Sequence, residues 1–88
     1  MYVGKVIGMV VATRKDDKLV GKKLLVVQQI DSKGQPMTKE EVAVDSVGAG
    51  IGEVVLVAKG SSARYVFGPD TPIDAAIVGI VDNMEVQS

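Results

Sequence analysis

The sequence predicts an all-β protein: a small five-stranded, OB-like β-barrel with one short helical turn, in a single domain that spans residues 1–88. Seventeen valines and six isoleucines dominate the apolar residues, and branching at Cβ favours strands. Ten glycines punctuate the chain about as often as short strands need turns. Five strands in so short a chain fit a closed or nearly closed barrel, because closure removes exposed strand edges.

The first strand is predicted from Tyr2 to Thr13. Gly4 and Gly8 fall four residues apart within it, so both are expected on one face. Glycines inside a strand indicate bends, bulges or close backbone approach, which a strand curling around a small barrel needs. The polar residues from Arg14 to Lys23 then form a loop.

The next two strands are separated by a turn. Leu24 to Ile30 is the second strand, and Asp31 to Gly34 is typical of a turn that Pro36 extends. Polar and apolar residues alternate from Glu41 to Val47, which predicts a half-buried third strand there.

The fourth strand and the helical turn follow the glycine-rich middle of the chain. Val54 to Ala58 is apolar throughout, which predicts a strand buried on both faces. Ser61 or Ser62 is then expected to cap one helical turn that runs to Tyr65 or Val66.

The fifth strand comes after a rigid loop. Gly68, Pro69 and Pro72 form that loop. The strand is predicted from Asp74 to Val81, with Gly79 as another bend.

The composition excludes several classes of function. The chain has no Cys and no His, so it lacks a thiol nucleophile, an imidazole base and the ligands of a Cys/His zinc site. Carboxylates, Lys, Tyr and hydroxyls remain, so the composition removes only the commonest catalytic residues. We expect no enzyme activity, cofactor or metal. No apolar run approaches the roughly 18 residues that span a bilayer, and Met1 to Thr13 lacks a basic leader. We expect an intracellular protein that gains stability by association, as small domains commonly do.

The charges divide unevenly along a chain whose net charge is −1. Basic residues dominate positions 1–39, and acidic residues dominate positions 40–88. Two interpretations remain open: the halves neutralise each other within one barrel, or a basic face of one subunit meets an acidic face of the next.

Three glycines, Gly48, Gly50 and Gly52, invite comparison with a phosphate-binding loop. Their spacing does not match the dinucleotide fingerprint, and a strand rather than a helix follows them. We interpret them as a tight connection between strands. Asp45 and Glu53 flank this segment; they could hold a metal or act as acid and base, but accepting hydrogen bonds from turn amides is the favoured interpretation.

Two further groups of polar residues have alternative interpretations. The polar loop carries five cations, Arg14, Lys15, Lys18, Lys22 and Lys23. The few aromatic residues do not interleave with these cations, so a solvated loop is favoured over nucleic-acid binding. Ser61, Ser62 and Arg64 could bind an anion or bridge subunits.

Five blocks taken together resemble the EutN/CcmL family, the pentameric vertex proteins of bacterial microcompartments. The blocks are Gly4–Thr13, Leu19–Gln28, Val42–Glu53, Gly60–Arg64 and Ile73–Asp82. They cover nearly the whole chain in order, and no single block carries the resemblance alone.

The resemblance implies a non-enzymatic shell protein, a homopentamer that caps the five-fold vertices of a polyhedral shell in the cytoplasm. It implies hexameric and pseudo-hexameric shell tiles as partners, and neither nucleic acid nor membrane. The candidate contact residues at a subunit interface or the five-fold axis are Asp45, Val47, Gly48, Ala49, Gly50, Ile51, Gly52, Glu53, Ser61, Ser62, Ala63 and Arg64. The alternative function is a monomeric OB-like barrel that binds single-stranded nucleic acid or a small ligand.

Overall fold

The computed structural model describes residues 1–13 and 15–87, so Arg14 of the predicted basic loop lies outside the described residues. Five strands close into a barrel in the order β1-β2-β3-β5-β4. The elements are β1 (Tyr2–Val10), a 3₁₀ turn (Asp17–Leu19), β2 (Leu24–Ile30), β3 (Pro36–Asp45), β4 (Val54–Lys59), α1 (Ser61–Phe67) and β5 (Ala75–Ile80). This confirms the predicted all-β barrel with one short helix.

Strand pairing is antiparallel everywhere except between β3 and β5. Those two strands run parallel and pair only at Val44 with Ala76 and at Asp45 with Ile77. The earlier part of β3 pairs with β2 alone. The strand therefore begins at Pro36, ahead of the predicted start at Glu41, because a hairpin with β2 orders residues that are exposed and show no alternation.

The barrel interior is filled by small and branched side chains. The fully buried cluster consists of Val6, Leu25, Val27, Ala43, Ala49, Val55, Val57, Ala75 and Ile77. On β4, Val55 and Val57 enter this cluster, whereas Val54 and Leu56 are only half-buried. The prediction that the fourth strand is buried on both faces is wrong, because the outer side of β4 lacks a complete covering layer.

The two glycines of β1 face opposite sides, not one side as predicted. The pairing of β1 with β2 shifts register between Val6 and Gly8, which is a β-bulge. A Cβ added to Gly4 would lie 2.4 Å from Val27 Cγ1, whereas one added to Gly8 would lie 3.8 Å from Val26 Cβ. Since Val26 and Val27 point to opposite faces of β2, the extra residue in the bulge reverses the orientation.

Helix α1 covers an outer side of the barrel. Ala63 packs there with Val44, Ile73 and Ala76, and Phe67 lies against this cluster. Gly60 is the N-cap and no side chain of the described residues caps the helix, so the predicted capping by Ser61 or Ser62 is wrong. Those two serines occupy the first turn and remain exposed. Within residues 1–13 and 15–87, no helix is long and apolar enough to cross a bilayer.

Candidate subunit-contact site

The carboxylate of Asp45 organises the start of the glycine-rich segment. Its side chain is 3% exposed, and it accepts hydrogen bonds from the backbone N–H of Val47 at 3.1 Å and of Ala49 at 2.9 Å. The Lys23 ammonium lies 4.0 Å from the same carboxylate. Glu53 accepts a bond from the Gly50 N–H at 2.7 Å. Both carboxylates thus serve as acceptors for turn amides, as the sequence favoured.

The glycine segment, residues 46–53, is fastened to the barrel. The Gly52 N–H donates to the Val6 carbonyl at 2.8 Å, and the Val6 N–H donates to the Glu53 carbonyl at 2.9 Å. Ala49 is fully buried in the core. The segment therefore presents Val47 and Ile51, 41% and 64% exposed, from a fixed backbone.

The fold of the single chain requires glycine at two of the three glycine positions in this segment. Gly48 and Gly52 adopt φ of 83° and 94°, a region that side chains with a Cβ rarely occupy. Gly50 has no such φ, and a Cβ there would meet only the Glu53 carboxylate at an ordinary 3.5 Å. The conformation and packing of the single chain therefore do not require glycine at position 50.

The second predicted segment lies on α1. Ser61 and Ser62 are exposed, and Ala63 is buried against the barrel. The Arg64 Nη1 donates to the Ile73 carbonyl at 3.3 Å, and no carboxylate of the described residues forms an ion pair with this guanidinium. The structure does not join this segment to the glycine segment within one chain, because the two segments flank opposite ends of β4, which spans Val54–Lys59. Five steps along a strand span about 17 Å.

Sequence reasoning missed several exposed apolar side chains beside these two segments. Tyr65 is 91% exposed on α1 and follows the candidate Arg64 directly. Ile7 and Met9 are 46% and 53% exposed on β1. The alternation of residues along β1 and the tyrosine in the helical turn could have indicated these side chains. Whether each side chain is exposed, however, depends on which faces the folded barrel covers.

The comparisons with known proteins decide the family. A family model described as "Ethanolamine utilisation protein EutN/carboxysome" matches residues 1–82. The chain belongs to the EutN/CcmL family.

Relatives of this EutN/CcmL chain are named for a structural role. The shell vertex protein PduN of Salmonella typhimurium is 53% identical, with 96% of this chain and 98% of PduN covered. The carboxysome shell vertex protein CcmL of Synechocystis is 54% identical, covering 100% of this chain and 89% of CcmL. None of these descriptions names an enzyme, in agreement with the expectation drawn from composition.

A solved structure matches over nearly the full length. The GrpN pentameric microcompartment shell protein from Rhodospirillum rubrum superposes with a TM-score of 0.91 at 53% identity, covering 99% of this chain and 100% of GrpN. Both the fold and the predicted family therefore agree with the comparison.

The basic loop of this family member is tied to its own barrel. Lys18 lies 3.8 Å from the Asp70 carboxylate, and Lys22 lies 5.4 Å from the centre of the Phe67 ring. Since Lys23 also lies beside Asp45, both of these ion pairs join the basic and acidic halves within the described part of one chain. This supports the interpretation that the two halves neutralise each other within one barrel.

A polar cluster that sequence reasoning did not find joins three strands of this EutN/CcmL chain. The Tyr2 hydroxyl donates to Glu41 at 2.6 Å, and the Lys59 ammonium donates to the other oxygen of that carboxylate at 2.6 Å. Asp74 lies 3.7 Å from Lys59. Tyr2 and Glu41 are 39 positions apart, so only the barrel closure brings them together. Nowhere among residues 1–13 and 15–87 do three potential metal ligands group together.

The charges in this cluster reinforce each other. Burial acts to raise the pKa of the Glu41 carboxyl, but hydrogen bonds from Lys59 and Tyr2 outweigh it and hold that pKa below its ordinary value of 4.5. The hydrogen bond with Glu41 raises the pKa of the Lys59 ammonium. Burial, together with the same carboxylate, raises the pKa of the Tyr2 hydroxyl, so this hydroxyl remains a donor.

The polar cluster of Tyr2, Glu41, Lys59 and Asp74, here called the Glu41 cluster, should contribute to the acid sensitivity of the fold. Because the folded pKa of Glu41 is lowered, its stabilisation is complete above the ordinary value of 4.5 and is lost as pH falls through the folded pKa. The free energy of unfolding of Glu41→Gln should therefore fall less than that of wild type when the pH is lowered. Urea unfolding at neutral pH and again below pH 4.5 measures this difference. Lys59→Gln should flatten the acid limb in the same way. Acid limbs as steep as that of wild type in both variants would contradict the assignment.

Proposed function

We propose that this chain is a structural protein, a homopentamer that caps the five-fold vertices of a polyhedral bacterial microcompartment shell. The observation that carries the proposal is the match to a pentameric microcompartment shell protein over 99% of this chain. A flat sheet of hexagonal tiles cannot close into a polyhedron, and pentagons supply the missing curvature. Capping a vertex requires shape and association, so it needs no reactive side chain.

The proposed partners are further copies of this chain and the hexameric and pseudo-hexameric tiles of the shell facets. The place of action is the shell of a microcompartment in the cytoplasm. No contact with nucleic acid or a membrane belongs to this function. The binding alternative has less support, because the relatives PduN and CcmL are named as shell vertex proteins.

Two segments are proposed to form the contacts between subunits. A cyclic pentamer has heterologous interfaces, so each subunit needs two different patches. We assign the segment from Val47 to Gly52 to a subunit contact near the five-fold axis, and Ser61 to Arg64 to a subunit interface. Gly50 supports the first assignment, since its own chain does not require glycine there. Arg64 supports the second, since it has no carboxylate partner in the described part of the chain.

Native mass spectrometry of the purified chain tests the ring. We expect a dominant species with five times the mass of one chain, because the solved structure that matches 99% of this chain is that of a pentameric shell protein. The exposed large apolar side chains of the small barrel favour such association. The same sample should pass through a single-stranded DNA column without salt-sensitive retention. A monomer, with retention that falls as salt rises, would instead support the binding alternative.

A further inference from the structure

The barrel closes at a seam where strand pairing is short. Strands β3 and β5 pair at two positions only, Val44 with Ala76 and Asp45 with Ile77, whereas each of the other strand pairs extends over four to six positions. Over residues 36–43, β3 has a strand partner on its β2 side alone in the described part of the chain. We call this join the β3–β5 seam. Two residue pairs contribute little net free energy to holding it shut.

The Glu41 cluster crosses the end of the barrel beside this seam. Glu41 lies two positions before the core residue Ala43, and Lys59 lies two positions after the core residue Val57. Side chains two positions apart on a strand share a face, so both charged groups belong to the inward face of the barrel. The Lys59 ammonium and the Tyr2 hydroxyl each donate to Glu41 at 2.6 Å. Side chains of β1, β3 and β4 therefore meet where strand pairing does not close the barrel.

The groups that face the Glu41 carboxylate come from three strands and from the loop before β5. Besides Tyr2 and Lys59, Lys39 acts on it through charge, and the Lys39 ammonium lies 5.4 Å from the centre of the Tyr2 ring. Asp74 lies 3.7 Å from Lys59 on the solvent side. The side chains of Glu41 and Lys59 are only 17% and 27% exposed, so water screens this ion pair less than it screens a surface pair.

We propose that the Glu41 cluster is a charge-dependent latch, which holds the β3–β5 seam shut, so that loss of the Glu41 charge lets β3 separate from β5 while the other strand pairs stay intact. Hydrogen bonds to a carboxylate are stronger than those between neutral groups. The latch can therefore supply the hold that two backbone positions lack. It acts within one chain, so it goes beyond the proposed vertex role and does not depend on the ring.

Opening of the seam leaves a complete sheet. Without the β3–β5 join, the strands keep the order β3-β2-β1-β4-β5, and every remaining pair is antiparallel. The β2–β3 hairpin also fastens itself, because the Gln28 side-chain amide donates to the carbonyls of Met37 and Lys39. The open form therefore retains most backbone bonds of the barrel, and reaching it costs less free energy than global unfolding.

Protonation of Glu41 acts in the direction of opening. In the closed barrel, burial acts to raise the pKa of Glu41, but hydrogen bonds from Lys59 and Tyr2 outweigh it and hold that pKa below 4.5. In the open form the carboxyl returns to water and to its ordinary pKa. Opening therefore takes up a proton, and it becomes more favourable as the pH falls below 4.5.

Hydrogen exchange of the full-length protein tests the seam at two neighbouring backbone amides. The Ser46 N–H donates across the seam to the Ile77 carbonyl at 3.2 Å, whereas the Asp45 N–H donates on the β2 side to the Lys23 carbonyl at 2.9 Å. Opening of the seam frees the first amide and leaves the second bonded. In low urea, exchange at Ser46 should depend weakly on urea and exchange at Asp45 steeply, since only global unfolding frees Asp45. The same dependence at both amides, steep or weak, would overturn the inference.

Glu41→Gln connects this opening to the latch. Glutamine keeps the size of the side chain and can still accept from Tyr2 and Lys59, so the substitution removes the charge. The protection of the Ser46 amide at neutral pH should fall about tenfold, as expected for hydrogen bonds that lose a charged partner. Unchanged protection of Ser46 in this variant would contradict the latch.

Two further variants complete the test. Tyr2→Phe removes one donor to Glu41 but keeps the ring, and it should lower Ser46 protection about fivefold. It decides the question if Glu41→Gln does not fold, since unchanged protection would then overturn the inference. Lys18→Gln is the matched control, because it breaks an ion pair with Asp70 outside the cluster, and Ser46 protection should not change. A loss as large as in Glu41→Gln would show that the seam has no specific latch.

The pH dependence assigns the switch to Glu41. Protection of Ser46 in wild type should fall as the pH is lowered below 4.5, whereas in Glu41→Gln it should stay constant. Asp74→Asn should behave as wild type, because the Asp74 side chain is 74% exposed and lies 3.7 Å from Lys59. Protection that still falls with pH in Glu41→Gln, or that no longer does so in Asp74→Asn, would overturn the inference.

Discussion

Asp45→Ala should destabilise the folded chain by roughly 2–4 kcal/mol, because the variant leaves two turn amides without their acceptor. The carboxylate is 3% exposed and accepts from Val47 and Ala49, so water cannot easily replace it. Lys23 would also lose the carboxylate that lies 4.0 Å away. Urea unfolding at a fixed protein concentration measures the effect, since association contributes to the apparent stability.

Asp31→Ala is the matched control for Asp45→Ala. Asp31 accepts from the Lys33 N–H at 2.8 Å and from the Gln35 N–H at 2.9 Å, so it makes the same kind of turn contact. It is exposed, and water can serve those amides when the carboxylate is removed. We expect a loss of about 1 kcal/mol or less. Equal losses in the two variants would show that burial of the Asp45 carboxylate has no special importance.

Gly4→Ala should destabilise the barrel by roughly 1–3 kcal/mol through overpacking. The added Cβ would lie 2.4 Å from Val27 Cγ1 and 2.9 Å from the Gln28 carbonyl oxygen. The second contact involves the backbone of a paired strand, which cannot move aside without disturbing β1 and β2. The urea midpoint should fall with an unchanged slope, since the folded topology is retained.

Gly8→Ala, in the same strand, provides the comparison for Gly4→Ala. Its Cβ would meet Val26 at an ordinary 3.8 Å, so no neighbour has to shift. The substitution should be neutral or should stabilise by up to about 1 kcal/mol, because alanine restricts the unfolded chain more than glycine does. A loss at Gly8 as large as at Gly4 would mean that the bulge, and not close packing, determines the need for glycine.

The sequence predicted those strands whose position follows from their own residue types. Branched side chains between Leu24 and Ile30 and between Val54 and Ala58 match β2 and most of β4. The start of β3 was missed because Pro36 to Glu40 is polar and ordered by its pairing with β2. The side of the sheet on which Gly8 lies was predicted wrongly, because it depends on a β-bulge that forms only in the pairing of β1 with β2.

The candidate site was predictable to the extent that its contacts are local. Asp45 and Glu53 hold amides within four positions in sequence, so spacing alone suggested that role. The Glu41 cluster unites side chains from three strands, and only the closed barrel brings them together. The exposure of Tyr65 and Ile7 likewise depends on which faces the folded chain leaves uncovered.

Assembly of complete shells tests the vertex role most directly. Hexameric tiles are mixed with the purified chain, and the closed particles are reconstructed by electron cryomicroscopy. The account predicts that closed polyhedra form only when the chain is present, with five copies of the barrel around each five-fold vertex. Closed shells that form without the chain, or that carry it on the facets and not at the vertices, would contradict it.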